Sequence, residues 1–396
     1  MKDLTKLTDR IFYVGVNDRT KHLFEALWPL PLGVSYNAYV VCGERTALID
    51  TVDACFTGRL LANVRERLGD RPLDYLVINH MEPDHSASIA AVRQVYPDVK
   101  IVGNAKTLQM VEGYYGITGG TVEVKEGATL DLGGLTLSFC MIPMVHWPET
   151  MATWCAEERT LFSGDAFGTF GALNGGVTDE QLDIEPFWEE MRRYYACIVG
   201  KYGQPVQRAL QKIAPLEIAM ICSTHGPVWR REISRVVALY DRMSRYEGES
   251  GVVIAYGSMY GNTEQVAETV ARDLAAAGVK PIVVYNLSTA DVSQVLRDIF
   301  RYDTLIVGSP TYNGQLFPPV DALLHKIAER CIPHRRFACF GSFTWAGAAV
   351  RRMTEFTEGV KWPLVGAPIE LKQGYSAEVG TPCRAMVEAL LEDMKR

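Results

Sequence analysis

His80-Met81-Glu82-Pro83-Asp84-His85 places two imidazoles and two carboxylates within six residues. Four such donors on a loop beside a rigid strand form a preorganised metal cage. The mix carries information. Imidazole alone suits zinc, whereas carboxylates shift the preference toward harder ions such as iron or manganese. Three further residues have the same placement after an apolar run: His146 in Met144-Val145-His146-Trp147-Pro148-Glu149, Asp165 in Leu161-Phe162-Ser163-Gly164-Asp165-Ala166, and His225 in Cys222-Ser223-Thr224-His225-Gly226-Pro227. A single histidine is more often a satisfied core or surface residue, and His22, His325 and His334 fit no constellation. Four strand ends offering His or Asp are much harder to explain as packing. A carboxylate buried there without a cation is expensive.

A second set of loops suits a different ligand. Ser258-Met259-Tyr260-Gly261-Asn262-Thr263 follows the apolar run 252–256 and opens a helical pattern over 263–277. Two hydroxyls, an amide and a glycine exposing backbone N–H groups are what a phosphate monoester needs, with the helix N-terminus adding favourable dipole charge. Alone, the loop reads more readily as a turn with a Thr263 N-cap. Two further loops change that balance: Ser309-Pro310-Thr311-Tyr312-Asn313-Gly314 and Gly341-Ser342-Phe343-Thr344-Trp345-Ala346-Gly347. They add aromatic rings amid glycines and backbone donors, as a planar isoalloxazine requires. Trp345 is read as a flavin-stacking ring rather than a core tryptophan. A G-x-G-x-x-G fingerprint is absent after 252–256, which weighs against a dinucleotide.

The elements that position these loops divide in two. Strands are expected at 11–14, 39–41, 46–49, 75–79, 100–102, 121–126, 136–142, 151–155, 160–163 and 218–222. Hairpin-like spacing followed by strand–helix alternation predicts layered α/β architecture with packed sheets. After a polar joint at 246–251 the rhythm becomes strictly β-α-β, with strands at 252–256, 281–285, 304–307, 337–340 and 369–371. That predicts a doubly wound parallel sheet with ligands at the carboxyl ends of its strands. Val266, Ala267, Val270 and Leu274 recur at helical spacing, and Gly278 is placed to stop their helix. The expected domains are 1–248 and 249–396.

Composition narrows the class. The chain has 396 residues, 48% hydrophobic and 22% charged, enough for two cores. A net charge of -7 offers no basic stripe for nucleic acid. The amino terminus is polar, and no apolar run approaches the roughly 20 residues that span a bilayer. Nine scattered cysteines without a C-x-x-C pair argue for a reducing compartment and against an iron–sulfur cluster. The expected location is the cytoplasm.

With these motifs, residues 251–396 resemble flavodoxin, implying FMN. The first half is similar to the metallo-β-lactamase superfamily, whose first motif is usually H-x-H-x-D-H; here Glu82 replaces the second His. Such a domain followed by a flavodoxin domain resembles the flavodiiron proteins (A-type flavoproteins) over almost the whole chain. The resemblance implies an αββα sandwich followed by a five-stranded flavodoxin-like sheet. It implies that His80, Glu82 and His146 hold one iron, that Asp84, His85 and His225 hold the other, and that Asp165 bridges them. In some family members the second His of the first motif is displaced by water, which leaves the role of His85 open. Tyr194 or Tyr195 is a candidate hydrogen-bond donor to a bound intermediate, with packing as the alternative.

The implied activity is reduction of dioxygen to water, of nitric oxide to nitrous oxide, or both. Two ferrous ions and a reduced flavin hold four electrons, the number that takes dioxygen to two waters; two electrons couple two nitric oxide molecules. The implied assembly is a head-to-tail homodimer or a dimer of dimers. No rubredoxin module is present, so the implied donor is a separate rubredoxin or a reduced deazaflavin. Two rivals are a zinc hydrolase with a flavin appendage, which Glu82 opposes, and a non-catalytic flavin electron carrier.

Overall fold

The computed structural model describes residues 3–395, so Met1 and Lys2 of the polar amino terminus lie outside the described residues. The chain forms two compact units, the first ending at Ser244 and the second beginning at Arg245.

In the first unit a six-stranded sheet runs in sequence order: Ile11–Tyr13, Tyr39–Cys42, Thr46–Ile49, Tyr75–Val77, Lys100–Gly103 and Thr121–Glu123. Its first pairs are antiparallel and its last three parallel. The five-stranded second sheet, Thr129–Asp131, Thr136–Met141, Met151–Cys155, Thr160–Gly164 and Met220–Ser223, is antiparallel except for its last, parallel pair. The sheets meet through the rings of Tyr39 and Phe162, 5.4 Å apart, and through Tyr39, whose hydroxyl donates to the Ser223 carbonyl at 2.6 Å. Strands such as Thr46–Ile49 and Thr160–Gly164 are buried at every position, as expected of strands covered on both faces. Helices including Thr57–Leu68 and Gly203–Ile213, each buried along one stripe, complete the αββα sandwich.

The expected strands of this unit fall within two residues of the observed ones, with a larger difference at one end, where the run 121–126 stops at Glu123. Two small ribbons were not expected. Val16–Asp18 pairs with Val34–Tyr36, and Leu23–Phe24 pairs with Trp28–Pro29. Two or three residues are too few for an alternating pattern to register.

The second unit is a parallel sheet in the order Ile282–Asn286, Glu249–Tyr256, Tyr302–Pro310, Arg336–Phe343, Ile369–Lys372. The helix Asn262–Ala276 packs Val266, Ala267, Val270 and Leu274 into the core, and Gly278 (φ 85°) turns the chain away after it. Residues 249–251, expected in the joint, belong to the strand Glu249–Tyr256. The sheet order reverses beside that strand, and its carboxyl edge carries the three loops singled out above.

Candidate metal centre and flavin cavity

Four strand ends of the first unit deliver seven buried side chains to one place. After Tyr75–Val77 the chain presents His80 and Glu82, then enters a short helix, Pro83–Ser86, that carries Asp84 and His85. His146 follows Thr136–Met141, Asp165 follows Thr160–Gly164, and His225 follows Met220–Ser223. Donor atoms of His80, Glu82, His146 and Asp165 lie within 4.8 Å of one another, and so do those of Asp84, His85 and His225. Asp165 faces both groups. Its Oδ2 is 3.1 Å from His146 Nε2 and 3.4 Å from His80 Nε2, while its Oδ1 is 3.1 Å from His85 Nε2. His85, whose role the sequence left open, turns Nε2 inward, 3.0 Å from His225 Nε2 and 3.3 Å from Asp84.

Outer partners fix the imidazole orientations. Glu149 Oε1 lies 2.8 Å from His80 Nδ1 and accepts from the Met81 N–H at 2.9 Å. The Ser35 carbonyl accepts from His225 Nδ1 at 2.7 Å. Each contact assigns a proton to Nδ1 and makes Nε2 the nitrogen turned inward toward the other donors. Thr224 Oγ1 donates to Asp165 Oδ1 at 2.5 Å, orienting that carboxylate. The His225 loop is tied down by Asn37, whose amide donates to the Ser223 and Gly226 carbonyls, both at 2.9 Å. Gly226 has φ 75°, and a Cβ there would collide with the Thr169 side chain. Met144 and Phe167, at φ 65° and 68°, hold left-handed backbone conformations within two residues of His146 and Asp165. Strain of this kind gathers where the fold over-determines a site.

Several inward atoms have no hydrogen-bonding partner: His80 Nε2 and both carboxylate oxygens of Asp84. Buried polar atoms left unpaired are costly, and a cation between these groups would satisfy them together. A donor set of imidazoles and carboxylates fits two iron ions. Burial pushes the imidazoles of His80, His85 and His146 down, but the carboxylates prevail. Asp165, with Glu149 and Glu82, holds His80 well above the usual range, and His85 and His146 are raised to about 9. Asp165, despite complete burial, is held well below the usual carboxylate range by His80 and His85.

These shifts have a testable sign. Raised folded values mean that metal-free protein gains stability from these protons below the ordinary histidine range near pH 6.5, and loses it as pH rises through about 9. Metal must displace those protons. Binding of ferrous ion at pH 7 should therefore release protons, and release should shrink as pH approaches 9. Calorimetry in buffers of different ionisation enthalpy measures this, and proton-neutral binding at pH 7 would contradict it. Glu149→Ala, which unfastens His80, should weaken metal binding about 10–100-fold, the usual effect of losing such a partner. Unchanged affinity by competitive chelation would show that His80 is held by other means.

Of the two tyrosines, Tyr194 faces the cage. Its ring is 5.5 Å from that of His225, its hydroxyl is buried without a partner, and burial with nearby Asp165 and Glu82 raises it well above its usual range. Tyr195 packs on Tyr240, ring centroids 5.2 Å apart. Glu25 was not expected. It sits at the tip of the Leu23–Pro29 ribbon, where Glu25 and Ala26 have φ 50° and 55°. The residue is exposed, but its carboxyl turns inward to accept from Trp28 Nε1 at 3.2 Å, and burial with the adjacent Glu82 raises it to about 7. Nothing in the local sequence signals this approach. Glu149 did leave a signal, a carboxylate three residues after His146.

In the second unit the three loops enclose a cavity of about 520 Å³, within the range of small-ligand sites. Ser258, Met259, Tyr260, Asn262 and Thr263 line it, with Pro310, Thr311, Tyr312, Asn313 and Gly314, then Ser342, Phe343, Thr344, Trp345 and Ala346. Gln373, not singled out from sequence, also contributes. Gly261, Ser309 and Gly347 shape the loops from behind. Gly261 (φ 86°) donates its N–H to Ser258 Oγ at 3.1 Å, and Ser309 Oγ accepts from the Phe317 N–H at 3.0 Å. Thr263 is not an N-cap; the helix begins at Asn262 and the Thr263 hydroxyl pairs with Ser342 at 2.9 Å. Tyr260 and Trp345 are 90% and 88% exposed, aromatic faces with nothing of their own unit covering them. A cavity without charged walls, floored by a helix N-terminus and flanked by bare rings, fits FMN.

Known proteins with this pairing of sites define one class. Residues 34–226 match the family model described as ODP family beta lactamase, and residues 254–377 match that of flavodoxin. The chain belongs to the flavodiiron protein family, whose cofactors are FMN and a non-haem diiron centre. It is 31% identical over 372 residues to the nitric oxide reductase of Moorella thermoacetica, covering 93% of each chain. It is also 31% identical over 373 residues to the rubredoxin-oxygen oxidoreductase of Megalodesulfovibrio gigas, covering 93% of this chain and 92% of that protein. Among solved structures, the rubredoxin oxygen:oxidoreductase of Desulfovibrio gigas superposes with a TM-score of 0.94 at 29% identity, over 99% of this chain and 98% of that one. The flavodiiron protein of Giardia intestinalis gives 0.94 at 26% identity, over 100% and 98%.

Proposed function

We propose that this chain is an FMN- and diiron-dependent oxidoreductase that reduces dioxygen to water, nitric oxide to nitrous oxide, or both, in defence against oxygen or nitrosative stress. The observation that carries the reading is the pair of donor clusters facing opposite oxygens of Asp165, in one chain with a flavin-shaped cavity. His80, Glu82 and His146 would hold one iron and Asp84, His85 and His225 the other, with the Asp165 carboxylate shared between the two clusters. The irons supply redox equivalents and adjacent substrate positions, and FMN supplies electrons singly or in pairs.

The chain's own residues set the conditions. Glu149 and the Ser35 carbonyl keep Nε2 of His80 and His225 free to ligate. Tyr194 offers its unpaired hydroxyl as a hydrogen-bond donor to bound substrate. Glu25, raised to about 7 by burial and the adjacent Glu82, exchanges a proton near neutral pH. The loops at 258–263, 309–314 and 342–347 bind the flavin, with Tyr260, Tyr312 and Trp345 as its aromatic surroundings. The metal belongs to domain 1–248 and the flavin to 249–396.

A head-to-tail homodimer, alone or paired into a dimer of dimers, brings one subunit's flavin to its partner's irons. The bare rings of Tyr260 and Trp345 support an interface at the flavin edge. A cytoplasmic location is supported by nine cysteines that remain free among the described residues. Among those residues no helix is long and apolar enough to cross a membrane. The electron donor is a separate rubredoxin or a reduced deazaflavin.

The test is anaerobic. Iron-loaded, FMN-replete protein is fully reduced and then exposed to each gas, with electrons counted against product. The reading expects oxygen consumed without released peroxide, or nitrous oxide formed, or both. Consumption of neither gas would overturn it.

A further inference from the structure

Behind the metal centre, between the helix Gly203–Ile213 and the strands Met151–Cys155 and Thr160–Gly164, lies a separate cavity of about 20 Å³. That exceeds the roughly 10–15 Å³ needed to admit one water-sized molecule. Its walls are hydrocarbon. Of the two hydroxyl-bearing residues in the wall, Ser163 Oγ donates to the Ala166 carbonyl at 2.8 Å, and the Tyr240 hydroxyl is buried without a hydrogen-bond partner. A water there would find at most the Tyr240 hydroxyl unpaired, short of the two to four polar partners it needs, so the space suits a small apolar guest.

Position makes the guest specific. Val145 and Ala166 form part of the wall, and each is joined by one peptide bond to a proposed ligand, His146 and Asp165. The opposite wall carries Ala209 and the half-buried Leu210 of the helix, so the cavity lies between that helix and the back of two ligand loops. An apolar diatomic is favoured over water in such surroundings.

We propose that this cavity is a docking site for the diatomic substrate, raising its local concentration beside the metal centre; the inference rests on the gas-reductase reading above. Filling the cavity should weaken capture of gas at low pressure and leave the chemistry intact. Ala209→Leu adds bulk from the helix side with a residue of similar helix propensity. Ala152→Val adds it from the strand side, and serves if the helix variant does not fold.

Xenon is the probe. Crystals of the iron- and FMN-loaded protein pressurised with xenon should show an ordered atom in the cavity, absent in either variant. In solution the variants should raise KM for dioxygen or nitric oxide roughly 3–10-fold, the scale of a small apolar contact, with kcat at saturating gas and metal content unchanged. Turnover by protein that shows no xenon in the cavity would overturn the dock and leave the gas-reductase reading standing. Xenon present but KM unmoved by filling would also overturn it. Xenon bound in loaded protein that consumes neither gas would overturn the reading itself, and the dock's role with it.

Discussion

Replacing Asp165 with alanine should empty both metal positions at once. Its two oxygens face the two donor clusters, 3.1 Å from His146 on one side and 3.1 Å from His85 on the other. Loss of Glu82 or Asp84 removes a donor from one cluster, whereas loss of Asp165 removes the group common to both. Iron per chain should fall from two toward zero, and turnover by more than the roughly 10–100-fold that loss of an outer hydrogen-bonding partner costs. The metal-free protein changes too. Without this carboxylate the buried imidazoles of His80, His85 and His146 lose an anion that holds them protonated, so they should titrate at lower pH. Iron analysis together with NMR titration of the imidazoles checks both parts. Retention of one firmly bound iron would show that Asp165 belongs to a single cluster.

Removal of FMN should have the second largest effect. Donor-driven turnover should fall to background while iron content stays at its original level, because the flavin cavity draws all its lining from 258–263, 310–314, 342–346 and Gln373. Stripping the flavin also uncovers the cavity walls. At a free ligand concentration a hundred times Kd, binding stabilises the folded state by about 2.7 kcal/mol. For a unit of this size that corresponds to a loss of several degrees in melting temperature, measurable by calorimetry as a shift of one transition. Donor-driven turnover by flavin-free protein would place the electron entry elsewhere.

What the sequence disclosed and what it withheld follow from the range of the interactions. All seven residues of the two donor clusters stand on loops that follow apolar runs, so their placement at strand ends was legible locally, and their types pointed to the chemistry. Glu149 was within reach of the same reasoning, since a ligating imidazole needs an acceptor for its second nitrogen. Glu25 was not. It reaches Glu82 from a ribbon of two paired residues per strand, through a turn with two non-glycine left-handed residues, and neither feature leaves a periodic trace. Asn37 and Ser35 hold the His225 loop across nearly 190 residues of sequence, contacts that pattern alone does not carry. In the second unit the loops were plain because β-α-β alternation places them all on one edge. The cap that the 258–263 loop suggests when read alone is not formed, because the Thr263 hydroxyl pairs with Ser342 on another strand.

The glutamate at position 82 remains the informative departure. It lies 3.1 Å from His146 and 3.5 Å from His80, inside the first cluster, where it adds a negative charge and a hard oxygen donor. The most direct measurement is therefore anomalous diffraction at the iron edge, on crystals of protein produced with iron. The account predicts two iron peaks per chain, one within bonding distance of His80, Glu82 and His146, the other of Asp84, His85 and His225, with Asp165 between them. A single peak, a zinc pair, or a Glu82 turned away from the metal would contradict it.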